Sequence, residues 1–174
     1  MSTKITLSIP EELMDPHLFT KNDSFTIDEH ALTHILPSMP FLYEAAYYLG
    51  INAKRPWELR EECIPILLNE WNSEKEFLKK VFAKRERTQV TAPMKKGICL
   101  FLEFVYWGNG LPVSLTNYKN AKSLIIKPVN MVERLEFILH RPTLYHSFIQ
   151  LSELMIEMEK LYVKQIALKK ASQH

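Results

Sequence analysis

A single carboxylate, Glu103, stands inside the ten-residue run Ile98-Cys99-Leu100-Phe101-Leu102-Glu103-Phe104-Val105-Tyr106-Trp107, where it is the only charge. A carboxylate in so apolar a setting needs a cation, a hydrogen-bond network or a raised pKa. Arg134, Arg60 and Arg55 are the candidate cations; without one, Glu103 reads as a pocket residue. His30 and His34 lie four apart, a spacing that puts two imidazoles on one face of a helix and suits a divalent metal. Glu29 precedes the first of them, so the order is not the His-Glu-x-x-His of a metalloprotease, and no third ligand stands out. No metal or other cofactor is therefore assigned. Arg141 and His146 pair a guanidinium with an imidazole, as do Arg134 and His140. Such a pair suits acid–base work at a ribose hydroxyl or a scissile phosphate, the arginine stabilising developing charge. Last, Lys79, Lys80, Lys84, Arg85 and Arg87 surround Phe82 and lead on to Lys95 and Lys96, a pattern suited to phosphate contact.

These basic residues belong to a larger asymmetry hidden by a net charge of +2. Residues 1 to 78 carry 6 Lys/Arg against 13 Asp/Glu, whereas residues 79 to 127 carry 10 against 2. Two outcomes are open: the blocks fold against and neutralise each other, or the basic block faces an anionic partner. No helix-turn-helix, zinc finger, aromatic RNA-binding sheet, phosphate-cradling glycine loop or nucleophile elbow is recognisable.

The elements that must position these groups are helical. Four glycines in 174 residues are too few for a chain of many tight β-turns, and 47% apolar residues suffice for a core. Residues 1 to 26 read as an extended arm at Lys4–Ile9 followed by irregular chain around Pro10 and Pro16. Asp28 caps a short helix to about Leu36, and Phe41 to Leu49 forms another, ended by Gly50. Pro65 suits the first turn of a helix reaching about Arg87, whose acidic start and basic end complement the helix dipole.

Residues 92 to 107 are apolar all round, the mark of a central helix. They fall short of the roughly 20 residues needed to cross a bilayer. Gly108-Asn109-Gly110 ends that helix, and a loop follows to Lys127. Asn130 with Glu133 reads as a capping box for a helix to His140. A long last helix from Thr143 carries a stripe of Leu144, Phe148, Leu151, Met155, Met158 and Tyr162. The expectation is an all-α, single-domain bundle of about six helices, with the 92–107 helix central and a long C-terminal helix packed along it. No signal segment is evident, so Cys63 and Cys99 read as buried, reduced thiols of a soluble cytoplasmic protein.

Two resemblances accompany this reading. The Arg141–His146 and Arg134–His140 spacings resemble the Arg-x4-6-His pattern of the all-helical HEPN ribonucleases, although Pro142 and Leu135 follow the arginines where those enzymes usually carry a polar residue. Arg55-Pro56-Trp57-Glu58, Asn69-Glu70-Trp71 and Ala92-Pro93-Met94-Lys95-Lys96-Gly97-Ile98, followed by Phe101-Leu102-Glu103-Phe104, together resemble the YpoC-like proteins of Gram-positive bacteria over residues 40 to 140. That resemblance implies a bacterial, cytoplasmic protein and supplies no catalytic residues, the family being uncharacterised.

The function expected is non-enzymatic binding. Lys79, Lys80, Lys84, Arg85, Arg87, Lys95 and Lys96 would contact nucleic acid or an acidic protein surface. The alternative is a small HEPN-like ribonuclease using Arg141 and His146.

Overall fold

The computed structural model describes residues 3–20, 22–116, 118 and 123–173. Its elements begin with two antiparallel strands, β1 (Lys4–Ser8) and β2 (Ser24–Asp28). The five α-helices among the described residues are α1 (Leu42–Tyr48), α2 (Arg60–Ala83), α3 (Thr91–Gly108), α4 (Met131–His140) and α5 (Tyr145–Ser172). The fold is thus mostly helical, with five helices among the described residues where about six were expected, and a small sheet that the all-α expectation lacked.

The N-terminal arm is one strand of a hairpin. Ile5 pairs with Ile27 and Leu7 with Phe25, and the alternation turns Leu7, Phe25 and Ile27 into the core while Thr6 and Thr26 meet outside. The chain then makes a 3-10 turn at Glu29–Thr33 in place of the short helix expected to Leu36. Asp28 does cap it, accepting the His30 amide at 3.2 Å.

α3 is the centre of the molecule: every residue from Gly97 to Gly108 is buried, between α2 and α5. Gly97 permits the close approach, since a Cβ there would lie 2.7 Å from Trp71 Cζ3 and 3.0 Å from Leu151 Cδ2. α5 buries Phe148, Leu151, Met155, Met158 and Tyr162 of the expected stripe and leaves Leu144 at the surface.

Two local readings are corrected. α2 starts at Arg60, so Pro65 lies in its second turn, exposed, where the missing amide leaves a carbonyl facing water. Asn130 sits in the left-handed region (φ 55) with no side-chain cap bond, so the capping box with Glu133 does not form.

Three helices end in the same backbone motif, with the residue after the C-cap left-handed and two amides reaching back into the last turn. After α1 this residue is Gly50 (φ 73), and after α3 it is Gly110 (φ 73). After α2 it is Arg85 (φ 57), whose amide donates to the Phe82 carbonyl while that of Glu86 donates to Val81, both at 3.1 Å.

Candidate functional site

Glu103 is 2% exposed and meets none of the three arginines considered for it. Arg134 is held by two 2.9 Å bonds to Glu157 and one of 3.1 Å to Gln150. Arg60 donates to the Gly108 carbonyl at 2.7 Å, and Arg55 pairs with Glu58 at the surface. The expected ion pair is therefore absent among the described residues. The Phe41 amide donates to Glu103 Oε2 at 3.3 Å, offered by a buried phenylalanine in the left-handed region (φ 71).

The charge that acts on Glu103 is that of a second carboxylate, Glu44 on α1, fully buried. Its Oε2 accepts from Trp107 Nε1 at 2.8 Å and from the Val113 amide at 3.3 Å, while Oε1 is buried without a partner. Burial raises the Glu44 carboxyl to about 7 against the pull of those two donors. Burial, and then the charge of Glu44, push Glu103 well above the usual carboxylate range. The Glu44 charge disfavours ionisation of Glu103, so the pair holds at least one proton at neutral pH.

Glu44, missed from sequence, carries the same signal as Glu103, for it is the one charge in Phe41–Leu49. Trp57 and Trp107 are both buried, and of the two it is Trp107 that bonds the pair, through Glu44. The free thiols Cys63 and Cys99 are buried too, and burial raises the first to about 11.

The basic segment divides. Lys96 leaves the surface cluster, bonding Glu74 at 2.8 Å and also Glu70, both on α2. Lys95 lies 5.7 Å over the Phe19 ring. Lys79 is exposed but pairs with Glu76 at 3.1 Å. Lys80, Lys84, Arg85 and Arg87 are exposed at the α2–α3 corner and form no ion pair among the described residues.

Facing this corner is the start of α5. Tyr145 is 59% exposed, its ring edge-on to Phe82 at 5.3 Å, and Phe82 in turn stacks on buried Phe148 at 5.4 Å. Hollows border this aromatic pair. One of 280 Å³ is lined by Phe82, Arg85, Glu86, Arg87, Leu144 and Tyr145 among others; the second, of 490 Å³, is bounded by Lys79, Phe82, Ala83 and Tyr145. Tyr145 was not among the candidate residues, because its place beside Phe82 depends on packing between segments 63 residues apart.

Arg141 and His146 are exposed and both rest on Phe137, the guanidinium carbon 5.8 Å and the imidazole centre 5.4 Å from its ring centre. No hydrogen bond joins them among the described residues. His140 Nδ1 contacts the Glu136 carbonyl at 2.7 Å, well away from the pairing with Arg134 that the spacing suggested. His30 and His34 share no helical face, since the turn is 3-10 and His34 follows it in extended backbone.

A profile of YpoC-like protein matches residues 61–170, beginning after the Arg55–Glu58 motif and continuing through most of α5, a shift from the 40–140 stretch expected. The chain is similar to the uncharacterized protein YpoC of Bacillus subtilis (strain 168), at 40% identity over 111 residues that cover 63% of this chain and 68% of that one. No solved structure matches. With more than half of its length matched and all four cations of the α2–α3 corner inside the match, the chain belongs to the YpoC-like family.

Proposed function

We propose that this protein binds nucleic acid, without catalysis, through the α2–α3 corner. The observation that carries the reading is the cluster of Lys80, Lys84, Arg85 and Arg87, exposed, without carboxylate partners and grouped beside an exposed aromatic ring. Unpaired, exposed cations attract phosphates, whose condensed counterions are released on contact. Arg85 adds weight, because it occupies a left-handed site where the same motif elsewhere in this chain uses glycine. A non-glycine residue there costs about 1 kcal/mol, a strain that makes sense when its side chain has a task. The carboxylate pair is sealed in the core and supports no reaction at the surface. No observation favours the ribonuclease alternative, so binding is the reading retained.

Fluorescence anisotropy of labelled oligonucleotides at rising salt tests it. Binding should weaken steeply with salt and vanish when Lys84, Arg85 and Arg87 are changed together to Glu. Equal or tighter binding of polyglutamate would assign the corner to an acidic protein surface and overturn the nucleic-acid reading.

A further inference from the structure

We infer that the 280 Å³ cavity beside Tyr145 receives one unstacked nucleobase, guanine by preference, so that the corner selects single-stranded over double-stranded nucleic acid. The inference rests on the nucleic-acid reading above and adds the part of the ligand that enters the fold.

Three observations converge on it. Tyr145 is a large aromatic left 59% exposed, yet it is not loose: Phe82 braces it edge-on, and Phe148 lies under Phe82 in the core. A braced ring with accessible surface is a stacking platform, and stacking tolerates any base because every base has a π face. In a duplex those faces are already covered, so a platform of this kind discriminates against paired strands.

The cavity is also of the right kind. At 280 Å³ it lies just below the range of about 300–1,000 Å³ typical of sites for whole small-molecule ligands, a size suited to a single base. Leu144 and Phe82 supply apolar wall, and Arg85 and Arg87 bring cations to a ligand's phosphates. The 490 Å³ hollow bounded by Tyr145, Phe82 and Lys79 gives the neighbouring nucleotide a place along the same path.

The third observation is a carboxylate among these cations. Glu86 lines the cavity, exposed and without an ion pair among the described residues, although Arg85 and Arg87 flank it in sequence. A carboxylate repels phosphate and accepts hydrogen bonds, so it keeps the backbone out of the cavity while rewarding a base that donates. Guanine presents two adjacent donors, its N1–H and N2–H2, to the two oxygens of one carboxylate. Thymine and uracil present one N–H between two carbonyls, which the same carboxylate repels.

The test uses the full chain with three labelled probes: a thymine-only single strand, a single strand of equal length interrupted by guanines, and a duplex. The guanine-bearing strand should bind tightest and the duplex weakest. Tyr145→Ala should weaken single-strand binding on the order of ten- to a hundredfold, the effect of losing one stacked base. Tyr145→Phe should restore it, which separates stacking from misfolding. Glu86→Gln should abolish the guanine preference and leave thymine-strand affinity equal or higher.

Equal affinity for duplex and single strand, with Tyr145→Ala neutral, overturns the base-in-cavity inference, while the Lys84, Arg85 and Arg87 charge reversal still reports on the corner. A guanine preference that survives Glu86→Gln overturns the assigned role of that carboxylate. Absence of binding to all three probes overturns both readings.

Discussion

Arg85 concentrates the tension between stability and recognition in one residue. Its left-handed backbone would be relaxed by glycine, as at Gly50 and Gly110. Arg85→Gly should therefore stabilise the protein by about 1 kcal/mol in urea denaturation while weakening oligonucleotide binding. A destabilised variant, or one that binds as well as the parent, would remove Arg85 from the account. The buried carboxylates set a second residue-scale expectation, with its sign fixed by the direction of their shifts. Both hold protons in the folded state that the unfolded chain releases above about pH 4.5, so stability falls as pH rises from there through about 7, where Glu44 titrates. For Glu44 alone the loss is on the order of 3 kcal/mol. Urea midpoints should be lower at about pH 8 than at about pH 5, and Glu44→Gln, which mimics the protonated acid, should narrow the gap. Parent midpoints that do not move with pH would contradict the assignment.

Among the elements, α3 is where sequence and structure agree best, and the reason is its composition. A helix apolar on every side has one stable place, between other helices, and α2 and α5 supply them. Gly97 leaves no room for a Cβ between Trp71 and Leu151, so Gly97→Ala should cost about 1–3 kcal/mol through its clash with the Trp71 ring, measured by thermal or urea unfolding. An unchanged midpoint would mean that the α2–α3 contact is looser than described. α1, α2, α4 and α5 were legible from periodicity and breakers, whereas β2 was not. Ser24–Asp28 alternates over only five residues, and its meaning depends on pairing with β1 across a fifteen-residue gap. Asn130 misled for a local reason: a capping box needs extended backbone at the cap, and this asparagine is left-handed. The site divided along the same line. Which cations exist is written in the chain, but that Glu70 and Glu74 withdraw Lys96, and that Tyr145 stands beside Phe82, are facts of helix packing.

At the scale of the whole molecule, the opposing charge blocks are partly joined and partly displayed. Lys96 neutralises acid on α2 from within the basic block, while the four cations of the α2–α3 corner stay unpaired. The stretch matched to the YpoC-like family includes that corner, Tyr145 and Glu103, and excludes the hairpin and α1 with Glu44. Among the described residues no helix is long and apolar enough to cross a membrane. The most direct measurement is therefore a salt titration of single-stranded oligonucleotide binding by anisotropy, with the parent chain and with Lys84, Arg85 and Arg87 changed together to Glu. Four phosphate contacts predict a log–log slope of about −3 for the parent and no measurable binding by the variant. No binding by the parent at low salt, or a variant that binds as the parent does, would contradict the assignment of this corner to nucleic acid.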